Sequence, residues 1–400
     1  MWPKFGSRVC VIRLLFFTLL VFGGLSYFLF SSTTFDIFQK KNPTKRPPYS
    51  DLPHFQLQQN GEYWIFNDFI EPDCRNIWGK SSITLTTHAT YIDFKLLEWL
   101  LVRWNAPISM AVYVDGEDFE RTVQSFYHIK FCSVIGKSFF QWVSVQLVFH
   151  NSHFPRKLRP FSHQRPRKLR CKTLYQRGRP NETSWYKNDL TYPLSLLKNV
   201  ARANARTYYI FSLGLDMLPP RRFVKNFLDL MDTIQVSVKS VFCVPVFPQL
   251  TEDMLVPKDK SELLTQLWPY FNGSIPLVIP DDELQRLRDL FSWLLQPLVD
   301  VEQAIFKISK QPNNCDAYVS INHFEPIYDQ HAAGSLQEQH LSHLEVLSGL
   351  NFDFIVLGGA FLIKRHAPIW QDVEPSEYPV RMPDPTPHIS DLIVLSSMVL

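Results

Sequence analysis

The chain has 400 residues, a formal net charge of +3, and a composition that is 46% hydrophobic and 14% aromatic. This apolar content excludes general disorder, and the length is sufficient for one or two domains with a sizeable core. So small a net charge gives no reason to expect a nucleic-acid partner.

The N-terminal region predicts a membrane anchor. Residues 14–35 contain no charged side chain and are long enough to cross a bilayer core of about 30 Å. Basic residues in the first 13 positions precede this segment, as in a signal-anchor with a short cytosolic tail. We therefore predict a cytosolic tail over 1–13 and a transmembrane signal-anchor over 14–35. A signal peptide cleaved near Gly23 or Ser26 is the alternative.

Both interpretations send the rest of the chain into the secretory pathway. Two glycosylation sequons agree with this placement, at Asn181 and Asn272. Five cysteines follow the apolar segment, which allows at most two disulfides whose pairing the sequence does not give: Cys74, Cys132, Cys171, Cys243 and Cys315. No cysteine pair has the CxxC spacing, so a structural zinc site is not expected.

Residues 36–80 are predicted to form a stem between the membrane and a domain over 81–400. The stem includes the proline-rich stretch NPTKRPPYSDLP, which cannot hold a regular helix.

From about residue 82 onward, predicted strands alternate with predicted helices. The helices cover 91–104 and 194–204, and the strands are SITLTTHA, ISMAVYV, WVSVQLVFH, RTYYIFSL, VFCVPVF and the pair FDFIVL and AFLI. Several of these strands are continuously apolar, which is typical of strands covered on both faces. We therefore predict an α/β domain, with an open, mostly parallel sheet and helices on both faces.

One of these strands ends in the sequence IFSLGLDMLP, which carries a lone acid, Asp216. Glycine and aspartate commonly close a strand with a turn, and this is the simpler interpretation. Ligands of open α/β sheets bind beyond the carboxyl ends of the strands, so Asp216 is also a candidate metal ligand.

A basic segment interrupts the alternation. Residues 155–179 contain ten Lys or Arg residues and no acid, and the pentapeptide PRKLR occurs there twice, at 155–159 and 166–170. One interpretation is a surface for an acidic glycan or a phosphate-rich ligand. The other, which we favour from sequence, is a solvated, flexible insertion. It predicts that deletion of 156–166 leaves the stability of the fold almost unchanged.

Several stretches together resemble glycosyltransferase family 49. They are TLTTHAT and RWNAPISMAVYV, then Tyr192-Pro193 with LLKNVAR, IFSLGLDMLP, Phe324-Glu325-Pro326, Tyr328-Asp329 and His366-Ala367-Pro368. The resemblance implies a GT-A fold that binds a UDP-sugar donor and manganese. It also implies a Golgi enzyme with a lumenal domain, which transfers a sugar, glucuronate in the first instance, to a glycan with inversion.

The resemblance also assigns candidate site residues. Asp216 falls on the second acid of the family's aspartate-x-aspartate metal motif, whereas Gly214 replaces the first. Lys364 aligns with the family's metal-binding histidine, and a two-residue slip would offer His366 instead. Candidate nucleotide ligands are Lys198, Asn199 and Arg202, and candidate catalytic bases for the attacking hydroxyl are Glu325 and Asp329.

The incomplete metal motif supports a second hypothesis, a catalytically inert relative that binds glycans or proteins. Because a complete set of acids and histidine would favour an enzyme, Gly214 and Lys364 are the residues that distinguish the two. An unrelated membrane-anchored interaction protein is the third and least favoured interpretation.

Overall fold

The computed structural model describes residues 57–74, 77, 79–156, 158–171, 183–188, 190–250, 254–275, 281–296, 305–330 and 336–365. The predicted tail and signal-anchor lie outside these residues, as do Asn181 and His366. Within the described ranges, no helix is long and apolar enough to cross a membrane.

Thirteen strands are described, in two sheets. In chain order they are β1 (Leu57–Asn60), β2 (Tyr63–Ile70), β3 (Gly79–Ala89), β4 (Ile108–Tyr113), β5 (Val143–His150), β6 (Thr207–Ser212), β7 (Met217–Leu218), β8 (Ser240–Val244), β9 (Val246–Pro248), β10 (Ile305–Ser309), β11 (Ala317–Ile321), β12 (Asp353–Leu357) and β13 (Leu362–Lys364).

The described α-helices are α1 (Leu97–Trp104), α2 (Phe119–Cys132), α3 (Gly136–Trp142), α4 (Ser184–Lys187), α5 (Leu194–Ala203), α6 (Phe223–Thr233), α7 (Lys260–Phe271), α8 (Asp281–Leu295) and α9 (Leu336–Gly349). The helix predicted over 91–104 is a 3-10 helix over Tyr91–Leu96 followed by α1. The apolar stripe predicted for it is buried, with Phe94, Leu97, Leu101 and Trp104 all in the core.

The larger sheet has ten strands in the order β1-β2-β5-β4-β3-β6-β11-β8-β12-β10. Its centre, β5-β4-β3-β6, is parallel, as expected, and so is the pair of β8 with β12. The remaining five pairings between described strands are antiparallel. The sheet is therefore mixed, and the prediction of a mostly parallel sheet was wrong.

Each antiparallel pairing described in the larger sheet includes a strand that was not predicted from sequence. Strands β1 and β2 lie inside the predicted stem, yet they pair with each other and β2 pairs with β5. Strands β10 and β11 come from a part of the chain without a clear periodic pattern. Residues 57–70, which the prediction assigned to the stem, therefore belong to the sheet.

Helices cover both faces of the sheet, as predicted. Alternate residues of β4 point to opposite sides: Met110 and Val112 join the largest apolar cluster, whereas Ala111 and Tyr113 pack against α5. A third apolar cluster lies at the β8–β12 end, against α7, α8 and α9. Period-two alternation on a doubly covered strand explains why both sets are apolar.

The described part of the basic segment, residues 155–156 and 158–171, is packed against the fold, which corrects the expectation of a flexible insertion there. The side chain of Phe161 is only 8% exposed and lies in the main core cluster. Its ring stacks on Tyr127, with centroids 4.9 Å apart, and on Phe140, at 5.7 Å. A disulfide joins Cys171 to Cys132 at the end of α2. Since the sequence pattern shows charge and not packing, one buried ring in a basic run is easily missed.

We expect Phe161→Ala to lower the free energy of unfolding by about 3 kcal/mol, because truncating a buried phenylalanine leaves a cavity among its aromatic neighbours. Chemical denaturation would measure this loss. Arg167→Ala, at an exposed position of the same segment, should change stability by less than about 0.5 kcal/mol. Equal stabilities of the two variants would show that the segment is not packed.

Candidate active site

Asp216 lies at the carboxyl edge of the parallel strands. Strand β6 runs parallel to β3, so the carboxyl ends of both strands meet at this edge. The chain turns directly after β6, where the backbone N–H of Met217 donates to the carbonyl of Gly214 at 3.2 Å. Asp216 thus occupies a turn, as the simpler interpretation proposed, and the turn also places its carboxylate at the ligand-binding edge of the sheet.

The small sheet β7-β13-β9 brings Lys364 to the same place. Lys364 pairs with Met217 across the antiparallel β13–β7 ladder, and the N–H of Arg365 donates to the carbonyl of Asp216 at 3.0 Å. Burial raises the pKa of the Asp216 carboxyl, and the positive charge of Lys364 opposes this increase. A Cβ atom added at Gly214 would lie 2.5 Å from Oδ1 of Asp216. Positions 214, 216 and 364 are therefore spatial neighbours.

The side chains at this point do not fit a divalent cation. Manganese prefers about six oxygen ligands, several of them from carboxylates, whereas Asp216 is the one carboxylate that β6 and its turn supply. The ammonium group of Lys364 would repel a cation bound beside Asp216. Across the described ranges, no three His, Cys, Asp or Glu side chains form a possible metal site. The other candidate ligand, His366, lies outside those ranges.

Arg202 and Asn199 fasten a turn to helix α5. Arg202 is buried and donates to the side chain of Asn322 and to backbone carbonyls of Asn322, Glu325 and Pro326. The amide of Asn199 exchanges two hydrogen bonds with the backbone of Tyr328, at 2.8 and 2.9 Å. Both side chains are turned towards the protein interior. Their predicted contact with a nucleotide is therefore not supported by this geometry, which gives them a positioning role.

Glu325 is the centre of a buried polar network. Its carboxylate accepts hydrogen bonds from the hydroxyls of Tyr318, at 2.7 Å, and Ser320, and from Nε2 of His343, at 3.1 Å. Burial tends to raise its pKa, but the hydrogen bond from His343 and the positive charge of Arg202 outweigh burial, so the pKa is lowered. With its oxygens enclosed, Glu325 is poorly placed to take a proton from an acceptor sugar.

Asp329, the other candidate base, lies four residues further along the chain and is exposed. It directly follows Tyr328. The Tyr328 ring is buried and stacks on His343, with ring centroids 4.1 Å apart, and the backbone of Tyr328 is hydrogen-bonded to Asn199. The network around Glu325 thus fixes the turn that presents Asp329 to solvent. Asp329 is thus exposed on a held turn, whereas the carboxylate of Glu325 is enclosed in the network that holds it.

Lys198 of α5 is a partly buried cation of this region. Its Nζ lies 4.8 Å from the centre of the Tyr328 ring, and its charge acts on His88 at the end of β3 and on His340 of α9. Burial lowers the pKa of Lys198 to about 8, although the Glu325 carboxylate acts in the opposite direction. A partly buried ammonium group at the carboxyl edge is suited to an anionic ligand.

Two acids that the sequence reasoning missed follow β4. Asp115 is fully buried, with Oδ2 accepting from Asn188 at 3.1 Å and Oδ1 lacking a hydrogen-bond partner among the described residues. Asp118 accepts from the N–H of Ser184 at 2.7 Å, and burial raises its pKa to about 6. Their sequence signal was the run VYVDGED, in which acids directly follow a buried strand.

Comparison with known proteins identifies relatives. The profile of the family described as "Glycosyl-transferase for dystroglycan" matches residues 82–369. A beta-1,4-glucuronyltransferase 1 from Danio rerio is 26% identical over 220 residues, covering 51% of this chain and 49% of that protein. The LARGE2s xylosyl- and glucuronyltransferase from Gallus gallus is 28% identical over 197 residues, covering 46% of this chain and 24% of that protein.

A bovine beta-1,4-glucuronyltransferase 1 is 21% identical over 324 residues, 77% of this chain and 73% of that protein. The chain thus spans about half of the zebrafish relative and a quarter of the chicken one. Among solved structures, S. aureus TarS aligns over 70% of this chain and 60% of its own with 11% identity and a TM-score of 0.32, which is too low to support a conclusion.

Proposed function

The chain belongs to this family of glycosyltransferases, and from this premise we propose that it transfers a sugar from a UDP-sugar to a glycan acceptor with inversion. Glucuronate is the proposed sugar, because relatives from two species are named as glucuronyltransferases. We propose a GT-A arrangement in which the donor lies along the carboxyl edge of the sheet, beside Asp216.

The observation that carries this proposal is the juxtaposition of Asp216 with Lys364 at the carboxyl edge. In such a transfer the diphosphate leaves with its negative charge, so the site must supply positive charge next to it. Lysine can fulfil this role as a point charge. Lys364 would face the diphosphate and Lys198 another anionic group of the donor. Asp329 would take the proton from the attacking hydroxyl.

The incomplete metal set favours one alternative, a relative that binds a glycan or a protein without transferring a sugar. The two functions differ in donor binding. Calorimetry with UDP-glucuronate would distinguish them, run once in EDTA and once with manganese. We expect binding in both buffers with similar affinity, since the residues present do not fit the cation. If UDP-glucuronate fails to bind in either buffer, the alternative is correct.

Restoring the missing ligands should create a metal dependence that we do not expect of the natural chain. We expect Gly214→Asp with Lys364→His to raise the affinity for UDP-glucuronate at least tenfold in manganese relative to EDTA, a difference of about 1.4 kcal/mol. The new side chain needs the Asp216 carboxylate to rotate away from the position 2.5 Å from its Cβ. Gly214→Asn with Lys364→Met is the matched control. An absence of any manganese effect would contradict the proposed site.

We also propose that the protein is a single-pass type II Golgi membrane protein with the folded domain in the lumen. The apolar segment over 14–35 supports this topology. The described disulfides, Cys132–Cys171 and Cys243–Cys315, suit an oxidising compartment. Asn272 is exposed at the end of α7, where a glycan could be attached. Glycosidase treatment of the cell-made protein should change its mobility, and an unchanged mobility would count against a lumenal domain.

A further inference from the structure

The structure holds a set of cations on a firmly anchored surface next to α2. We call it the basic surface, and its members are all exposed: Arg156, Arg159, Arg165, Arg167, Lys168 and Arg170. The segment over 155–171 that carries them contains no acid. We propose that the basic surface is a second binding site, for a glycan that bears carboxylate or sulfate groups.

The segment that carries the basic surface is held in place by the rest of the fold. The segment is anchored near its start and at its end, by the Phe161 ring in the core and by the Cys132–Cys171 disulfide. Between these points Lys130 of α2 donates to Nδ1 of His163 at 2.6 Å. A flexible tail pays for ordering when it binds, whereas cations on a fixed backbone avoid most of that cost. Cations needed only for solubility would not require such anchoring.

The segment also leads from the first turn of α2 to its last turn. Arg159 contacts Glu120 in the first turn of α2, which begins just beyond the carboxyl end of β4. His163 and Cys171 contact Lys130 and Cys132 in the last turn of the same helix. The segment therefore runs along α2, which is about 21 Å long, over residues 159–163, and its residues 163 and 171 both contact the last turn. It starts at the edge of the sheet that carries the candidate active site, so an extended polymer could follow it away from that edge.

The charge of the basic surface also suits an anionic ligand. Arg159 of the basic surface pairs with Glu120 at 2.9 Å, and both side chains are more than half exposed. An exposed pair of this kind is worth little and can be exchanged for another anion. Arginine forks suit the planar geometry of carboxylates and also bind sulfates, and five of the six cations are arginines.

A glycan fits this surface better than a nucleic acid does. Proteins that bind single-stranded nucleic acids present aromatic side chains on which the bases stack. Here the rings that accompany the cations are turned inwards: Phe161 and Phe140 are buried. The Cys132–Cys171 disulfide, which holds the surface in place, also suits an oxidising compartment, where nucleic acids are not the expected polyanions.

The test compares two triple variants of the full chain. Arg156→Gln, Arg167→Gln and Lys168→Gln remove half of the basic surface without touching Phe161 or the disulfide. Lys225→Gln, Lys258→Gln and Lys307→Gln remove three exposed cations elsewhere and form the matched control. The probes are heparin as a sulfated glycan, hyaluronan as a uronate glycan, dextran as a neutral glycan and a DNA oligonucleotide, each at two salt concentrations.

We expect the natural chain to bind heparin or hyaluronan and not dextran, with affinity that falls as salt rises. The first triple variant should lose about tenfold in affinity at 0.1 M salt, and the control less than twofold. Equal losses in both variants, or DNA bound more tightly than either acidic glycan, would overturn the proposal. Because UDP-glucuronate affinity should be unchanged in the first variant, this result is separate from the proposed transferase activity.

Discussion

Replacement of Arg202 by methionine should lower the free energy of unfolding by roughly 3–5 kcal/mol, because it leaves several buried backbone carbonyls without their donor and removes a positive charge that stabilises the buried Glu325 carboxylate. Arg202 supplies hydrogen bonds to Asn322, Glu325 and Pro326, and its charge lowers the pKa of the Glu325 carboxyl. Methionine keeps much of the apolar volume, so the loss reports on the polar contacts. Urea denaturation at pH 7 would measure it.

Arg206→Met is the matched control, because Arg206 is exposed and lies four residues after Arg202 in the chain. It should cost less than about 0.5 kcal/mol. Comparable losses in the two variants would contradict the positioning role of Arg202.

The loss of stability at acid pH, compared between the natural chain and Arg202→Met, gives a second measurement of the contribution of Arg202. The folded pKa of Glu325 is lowered from the ordinary value of 4.5, so this carboxylate adds stability above that pH. That contribution is lost as the pH falls through the folded pKa. In Arg202→Met one of the causes of the lowering is gone, so the stability that depends on ionised Glu325 should be smaller. Unfolding curves between pH 3 and 7 would show a shallower acid loss in the variant.

Replacement of Lys198 by methionine should weaken UDP-glucuronate binding by about tenfold to a hundredfold, the usual worth of a charge-assisted hydrogen bond. Lys198 lies over the Tyr328 ring at the carboxyl edge, and its ammonium group is partly buried. Because its burial is unfavourable in the free protein, its removal should leave stability nearly unchanged or raise it. Calorimetry and thermal unfolding on the same sample would separate the two effects.

The pH dependence of binding tests the same residue. Since burial lowers the pKa of Lys198 to about 8, the free protein loses this positive charge as the pH rises through 8. The affinity for UDP-glucuronate should therefore fall between pH 7 and 9.5. In Lys198→Arg the charge persists over this range, so its affinity should stay nearly constant. A natural chain whose affinity does not change with pH, together with an unaffected Lys198→Met, would remove Lys198 from the donor site.

The sequence by itself determined the features that depend on neighbouring residues. Runs of apolar or β-branched residues located β3, β4, β5, β6 and β8, because a strand covered on both faces carries few charged side chains. The same local pattern placed Asp216 just beyond a strand end. The match with known family motifs then aligned Gly214 and Lys364 with Asp216, and the β7–β13 pairing brings these positions together.

Only the tertiary structure showed which polar side chains are engaged by the protein itself. Arg202 and Asn199 looked like ligands from their helix, but their partners lie more than a hundred residues away in the chain. The same holds for strands β2, β10 and β11, whose antiparallel pairing with β5, β12, β6 and β8 depends on distant segments. Phe161 became visible as a core residue only through the aromatic rings around it. Local patterns record the alternation of apolar residues, whereas a hydrogen bond or a buried ring depends on contacts that only folding creates.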